Sequence, residues 1–546
     1  MRAFSQVLII AGLFILSVHS KENTKTNVII ILFDDMGYSD PEYMGGEAQM
    51  PHISKLADEG ATFLNCMNNA KCAPTRCALM SGMNSKRLGI QGEAGGDFIE
   101  NKAACIAEVL GDSGYTTILS GKWHIRTEPM EAGFQFRFGE RYRASYFKDS
   151  VKQLMHQDQS IDKSSLPDDW YSTIAYTDHA IKTVKEEAID KNKPFFLYYS
   201  VHTPHFDFHA PKKYVDKYKG RYDAGVSEMS NQRYQTMVGK GIIDPATWKL
   251  PPLSHDGEQS KVFNWDDFNS KEQRLYTRKL EVIAGMLDVA DEQVGRIITM
   301  LKETDQYENT LIFFLSDNGA CAVRGKYGNT KLDKMEMEEI AQLGVPPYAH
   351  AGDSGSVVAA FQNTPLRGAK QSLWGGGMRT SMIVNWPGNM AKSATEAYVR
   401  EPVQIMDIAP TIYAATATNY PKNIGERTLN PMDGSNILPL LKGESILDRE
   451  FVFSYKHYRM ARKGKWKVIA SMKDEKKYPE GHWQLFDLEN DPAEMTDLSA
   501  SMPEITNELR QKAMDLHNQY PTLERKKRKK PKKDKKSKEK KIKQSQ

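Results

Sequence analysis

Four short stretches of this chain carry apolar and β-branched residues in nearly unbroken runs, with no polar alternation. They are Val28–Phe33, Thr116–Leu119, Pro194–Ser200 and Leu311–Leu315. Runs of that kind predict strands buried on both faces of a parallel sheet. Ser381–Trp386 predicts a further strand. Between them the spacing changes to a helical one over Pro51–Glu59 (stopped by Gly60), Thr75–Met83, Ala103–Ser113 and the long amphipathic stretch Glu281–Thr304. Strands alternating with helices predict an α/β sandwich with a large, mostly parallel sheet. Beyond Leu441-Lys442-Gly443-Glu444 the pattern shifts. Phe451–Ser454, Lys465–Ser471 and Gln484–Leu488 read as strands and Pro503–Gln519 as a helix, predicting a small antiparallel sheet with one helix.

The two ends of the chain depart from this pattern. Arg2 precedes the apolar run Val7–Val18, and Val18-His19-Ser20 offers a cleavage site. These features predict a secretory signal peptide, in a run too short to span a bilayer comfortably, and hence a periplasmic or secreted protein. At the other end, residues 525–543 hold fourteen Lys or Arg against Asp534 and Glu539, so a net charge of +4 conceals a body at −8. This tail is predicted to be disordered and suited to contact with polyanions such as sulfated glycans. The resulting plan is a signal peptide at 1–20, an α/β domain over 24–444, an α+β subdomain over 445–522 and a disordered basic tail at 523–546. Five cysteines (Cys66, Cys72, Cys77, Cys105 and Cys321) are few for an exported chain of 546 residues, and their spacing fixes no disulfide pairing.

Chemistry-bearing residues gather just past the predicted strands: Asp34 and Asp35 after the first, Lys122 and His124 after the second, His202 after the third, Asp317 and Asn318 after the fourth. In open α/β sheets ligands bind outside the carboxyl ends of the strands, so these residues are expected to converge. The two acidic clusters supply only oxygen ligands, which suits Ca²⁺ or Mg²⁺ and not zinc. Cys72-Ala73-Pro74-Thr75-Arg76 precedes an apolar stretch and predicts a helix start with Pro74 at the first helical position. Cys72 would then stand at the positive end of a helix, beside a guanidinium, where an anion is welcome. An isolated cysteine of this kind would more simply be buried or disulfide-bonded.

Its neighbours say more. Cys72-Ala73-Pro74-Thr75-Arg76, preceded by Asn27-Val28-Ile29-Ile30-Ile31-Leu32-Phe33-Asp34-Asp35 and followed by Gly121-Lys122-Trp123-His124, Phe313-Phe314-Leu315-Ser316-Asp317-Asn318-Gly319 and Pro365-Leu366-Arg367-Gly368-Ala369-Lys370, resembles the type I sulfatases of the alkaline-phosphatase-like superfamily. The Leu485-Phe486-Asp487-Leu488 segment is similar to the closing element of their C-terminal subdomains. The resemblance implies an alkaline-phosphatase-like sandwich in which a maturation enzyme oxidises Cys72 to formylglycine. It also implies a Ca²⁺ held by Asp34, Asp35, Asp317, Asn318 and an oxygen of the modified Cys72. In that family one hydroxyl of the hydrated aldehyde attacks sulfur, and the second collapses to release sulfate. Carried onto this sequence, Arg76 steadies the nucleophile, His124 takes the proton of the second hydroxyl, and Lys122 and Lys370 neutralise the sulfate. His202 becomes the candidate general acid, with Lys370 near the same oxygen.

Departures from the family pattern include Ala73 and Thr75, at variable slots, and Gly375, which stands where relatives usually place glutamate before a glycine pair. Long segments at 141–167, 207–263 and 320–364 are expected to set specificity, with Trp170, Tyr214, Lys217 and Arg221 as candidate sugar contacts. A sulfated carbohydrate is the expected substrate. The alternatives are a phosphonate monoester or phosphodiester hydrolase on the same scaffold, and a catalytically silent polyanion-binding protein.

Overall fold

A run that is apolar at every position can leave neither face to water, and the four such runs lie side by side in the middle of a ten-stranded sheet. In chain order the strands are β1 (Asn27–Phe33), β2 (Ala61–Met67), β3 (Thr116–Gly121), β4 (Phe136–Glu140), β5 (Leu154–His156), β6 (Gln159–Ser160), β7 (Phe195–Ser200), β8 (Thr310–Ser316), β9 (Arg379–Asn385) and β10 (Val403–Gln404). Their order across the sheet is β10-β2-β9-β8-β1-β7-β3-β4-β5-β6. β8, β1, β7, β3 and β4 are mutually parallel, and β9 runs against both β8 and β2. The register sets the carboxyl ends of the four central strands level: Phe33 pairs with Ser316, and Ser200 with both Leu32 and Gly121.

The structure is a computed structural model describing residues 25–90, 96–143, 145–254, 262–322, 325–391, 398–446, 448–455, 457–472 and 481–520. The expected signal peptide and basic tail lie outside the described residues. Alternate side chains of the central strands feed two cores. Ile29, Ile31 and Phe33 pack on the side of the helices Ser172–Glu187 and Ser270–Glu303. Val28, Ile30 and Leu32 pack on the side of the helices Cys72–Ser81, Ile106–Asp112 and Ile408–Ala415. Among the described residues no helix is long and apolar enough to cross a membrane. All five cysteines are buried and none forms a disulfide.

After a two-stranded hairpin, β11 (Asn423–Ile424) and β12 (Arg427–Thr428), the chain forms a four-stranded antiparallel sheet. It comprises β13 (Glu450–Tyr455), β14 (Tyr458–Lys463), β15 (Trp466–Ser471) and β16 (His482–Asp487). One face, with Phe451, Phe453, Met460, Ile469 and Phe486, joins the core of the α/β body. The other, with Ala461, Val468, Ala470 and Leu485, is covered by Leu509 and Ala513 of the helix Pro503–Gln519.

Two boundaries need correction. The cysteine helix begins at Cys72, and Pro74 is its third residue. Proline is tolerated there because the first-turn N–H groups have no intrahelical partner anyway. The long helix starts at Ser270, eleven residues before the expected Glu281, where Asn269 and Glu272 form a reciprocal capping box.

Candidate active site

Asp34 and Asp35 leave β1 without an intervening residue. The Asp34 N–H donates to the Thr203 carbonyl at 2.9 Å, and Asp35 adopts a left-handed backbone with φ 65°. Beside them the Asp317 N–H donates to the Phe33 carbonyl at 3.1 Å. Three buried carboxylates therefore meet at two adjacent strand ends. Cys72 joins them: one ligand atom each from Asp34, Cys72 and Asp317 lie within 4.8 Å of one another.

Side chains from three other segments supply the compensating charge. Arg76, one turn along the cysteine helix, donates Nε to Asp317 Oδ2 at 2.9 Å, and its Nη2 forms ion pairs with the same oxygen at 2.8 Å and with Asp34 Oδ2 at 3.7 Å. Its Nη1 donates to the Lys122 carbonyl at 3.1 Å and to Ser200 Oγ. Lys122 pairs with Asp34, Lys370 pairs with Asp35, and Asn318 Nδ2 donates to Asp35 Oδ1 at 2.7 Å. Burial pushes Asp34 up, yet Lys122, His205, Arg76 and Lys370 together hold its carboxyl well below the usual range. Burial and the Asp34 charge drive Asp317 well up, against the pull of Arg76.

Three acceptor oxygens in this cluster, Asp34 Oδ1, Asp35 Oδ2 and Asn318 Oδ1, are buried without a hydrogen-bond donor. A buried polar atom left unpaired costs about 1–3 kcal/mol. Three such atoms on adjacent residues at two neighbouring strand ends, all oxygen, are a donor set of the kind that fits a hard cation. The acidic cluster is thus a site able to hold a metal.

The histidines divide. His124 is part-buried, with a left-handed backbone (φ 60°) and an Nδ1 that is buried and without a partner. Burial, then Lys122 and Arg76, hold its imidazole well below the ordinary value, so it is neutral at pH 7. His202 makes its direct contacts away from the acidic cluster, although Lys122 and Asp34 act on it electrostatically. Its fully buried ring has Nε2 at 3.2 Å from Glu140 Oε2 and 3.1 Å from the Tyr176 hydroxyl. His205 is the histidine facing Asp35, with Nε2 at 3.6 Å from Oδ2. A tight turn, closed by the His205 N–H donating to the His202 carbonyl at 2.6 Å, brings it back to the strand ends. The Tyr146 hydroxyl is shared between the carbonyls of His202 and His205, at 2.8 and 2.6 Å. Sequence reasoning missed His205, Tyr146, Glu140 and Ser200; only His205 carried a signal, in the run His202-Thr203-Pro204-His205. Of the candidate sugar contacts, Trp170 and Tyr214 are buried, and Lys217 pairs with Asp288 at 2.9 Å. Only Arg221 is exposed and without an ionic partner among the described residues.

The sequence profile of the Sulfatase family matches residues 26–418, and that of the N-sulphoglucosamine sulphohydrolase C-terminal region matches residues 369–519. Among characterised relatives, the arylsulfatase of Klebsiella aerogenes is 28% identical over 79% of this chain and 94% of its own. The N-acetylglucosamine-6-O-sulfatase of Bacteroides thetaiotaomicron is 23% identical over 92% and 88%. Among solved structures, Ps i-CgsB in complex with k-i-k-neocarrahexaose superposes with a TM-score of 0.63 at 22% identity, over 91% of this chain and 94% of that one. The phosphonate monoester hydrolase of Agrobacterium radiobacter shares the fold at a TM-score of 0.55 and 16% identity, over 91% and 96%. With the profile spanning most of the chain and the acidic cluster, Cys72 and its cations at one rim of the sheet, this protein belongs to the sulfatase family and is a sulfuric ester hydrolase.

Proposed function

We propose that this protein is an exported sulfatase that removes sulfate from sulfated carbohydrates, using a formylglycine made from Cys72 and a Ca²⁺ at the acidic cluster. The observation that carries the proposal is the set of three unpaired buried oxygens of Asp34, Asp35 and Asn318, with Cys72 grouped beside Asp34 and Asp317 and Lys122, His205, Arg76 and Lys370 acting on Asp34. A cation held there by Asp34, Asp35, Asp317 and Asn318 would supply charge, and the oxidised residue 72 would supply the oxygen that attacks sulfur.

The chain's own residues perform the remaining tasks. Arg76 fixes Asp317 and borders residue 72, so the nucleophile position and the carboxylates move as one unit. Lys122 and Lys370 stand at opposite sides of the carboxylate pair, ready to exchange part of that contact for sulfate oxygens. Donation of Nδ1–H to the Phe206 carbonyl at 2.5 Å leaves Nε2 of His205 to carry the mobile proton. His205 replaces His202 as the group that protonates the leaving oxygen. Burial holds its pKa down, to about 3, against the pull of Asp34 and Asp35. An anionic sulfate ester beside it adds negative charge and raises that value toward the working pH. His124, held neutral and with Nδ1 buried without a partner, is the group to take a proton at residue 72.

The carbohydrate preference draws on the names of relatives: one acts on an N-acetylglucosamine 6-O-sulfate, and another structure holds an oligosaccharide. The signal peptide is the ground for export, and the basic tail would keep the enzyme near polyanionic substrate. The deciding experiment is the mass of the peptide carrying residue 72 from the native source, paired with turnover of a sulfated-glycan panel by wild type and Cys72→Ala. Formylglycine in the wild type and no turnover by Cys72→Ala are expected. An unmodified thiol in active protein, or an active alanine variant, would defeat the proposal.

A further inference from the structure

Lys370 reaches Asp35 from a loop, and a catalytic-site lysine on a loop must be held by something else. In front, the loop is fastened to the site: the Lys370 N–H donates to the Ala320 carbonyl at 2.9 Å and the Gln371 N–H to the Ala70 carbonyl at 2.8 Å. Gly368 and Gln371 take left-handed backbones there, at φ 85° and 71°. Behind, the loop runs into the short helical turn Gly375–Met378, whose first three residues, Gly375-Gly376-Gly377, carry no side chain.

The anchor comes from the C-terminal part of the chain. Glu494 is 1% exposed and has a left-handed backbone at φ 60°. Both carboxylate oxygens are engaged: Oε2 accepts the Gly375 N–H, and Oε1 accepts the ammonium of Lys467 on β15. Lys467 Nζ also donates to the Leu373 carbonyl at 2.7 Å. The Glu494 backbone carbonyl accepts Arg367 Nη1 at 2.7 Å, and that guanidinium lies 4.3 Å from the centre of the Trp374 ring. A Cβ added to Gly375 would stand 3.4 Å from Glu494 Oε2. Such a Cβ would meet Leu366 Cδ2 first, at 2.9 Å, with the carboxylate at contact distance behind it. The adjoining crevice also gathers Arg379, Arg462 and Lys467, so a neutral residue at 494 would leave Lys467 buried against like charge.

We infer that Glu494 is a positioning residue for the reaction: through Gly375, Lys467 and Arg367 it locks residues 367–375 and so sets where Lys370 stands against Asp35. The inference rests on the assignment above of Lys370 to the sulfate-binding side of the site. It makes the small antiparallel sheet part of the catalytic unit.

A double-mutant cycle tests it. Full-length protein with verified modification of residue 72 is assayed on 4-nitrophenyl sulfate as wild type, Glu494→Gln, Lys370→Ala and the double variant. Glu494→Gln should lower kcat/KM by roughly tenfold or more in the wild type, since small displacements of a positioned group have effects of that order. In the Lys370→Ala background it should change kcat/KM less than about twofold, the mark of a residue that acts only through Lys370. Amide exchange across 367–375 should accelerate in Glu494→Gln while β1 and β8 keep their protection. Equal losses in both backgrounds, or no loss in the wild type, would overturn the inference. A Lys370→Ala variant with full activity would overturn the assignment of Lys370, and this one with it. Should Glu494→Gln fail to fold, Glu494→Asp, which keeps the charge and shortens the reach, enters the same cycle.

Discussion

Two histidines three positions apart meet opposite fates. His202 follows β7 directly and is drawn inward to Glu140 and Tyr176, while His205 is turned back onto Asp35. Position after a strand is the signal the sequence offers, and it points to His202. The reversal depends on a turn closed within the segment and on Tyr146, 56 and 59 residues away from the two carbonyls it bridges. No local pattern announces such a contact. His205→Asn should lower kcat by roughly 10²–10⁴-fold on a sulfate ester of an unactivated alcohol, the usual range for a lost general acid. The same change should matter far less on 4-nitrophenyl sulfate, whose leaving group needs no proton. His202→Asn should show no such dependence on leaving group and should lower the melting temperature instead. Kinetics on the two esters with a thermal melt of each variant decide the matter, and a leaving-group effect in His202→Asn would reverse the assignment. Asp34, Asp35, Lys122, Asp317 and Asn318 were legible because their motifs end where parallel strands end, whereas Cys72 and Arg76 on a helix and Lys370 on a loop were read from the family resemblance. The strand register then does the assembling.

At the scale of elements, double-sided burial made β1, β3, β7 and β8 conspicuous. β2, β4 and β14 escaped notice because polar residues interrupt them, such as Asn65 in β2 or Arg459 and Arg462 in β14. The first turns of the long helix are polar because Lys271 and Arg274 are only partly covered, although the capping pair Asn269 and Glu272 was present as a signal. The same helix carries Asp291, whose carboxylate accepts the N–H groups of His52 and Ile53 at 3.1 and 2.8 Å and so caps the start of the helix Pro51–Glu59. Burial pushes this carboxyl up, to about 7, although both N–H groups oppose the shift. A folded value above the unfolded one near 3.9 means the folded state holds the proton more tightly. The contribution of this group is therefore full below pH 4 and is lost as pH rises toward 7. The stability of wild type relative to Asp291→Asn should fall over that window by at most about 4 kcal/mol. Denaturant unfolding at pH 4, 5.5 and 7 measures it, and a difference that grows with pH would contradict the assignment.

Across the whole molecule, the acidic cluster ties together segments more than 280 residues apart, from Asp34 at the end of β1 to Asp317 at the end of β8. A cation bound there stabilises the folded chain and has no comparable site in the unfolded one. Calcium at a hundred times its dissociation constant should add about 2.7 kcal/mol to unfolding. Melts with added calcium and with chelator should therefore separate by several degrees, and Asp35→Ala together with Asn318→Ala should abolish the separation. Coincident melts for the wild type would remove the metal from the site. The burial of Cys72 has a consequence of a different kind. It is 2% exposed, in the first turn of a helix packed beneath the sheet's rim. No enzyme's active site could close around that thiol while β1, β8 and the Lys370 loop are in place. Under the proposed function, chemistry at residue 72 is thus a matter of timing: the oxidation would have to be finished before the chain folds, and a molecule that folds first would be locked out of its own activation.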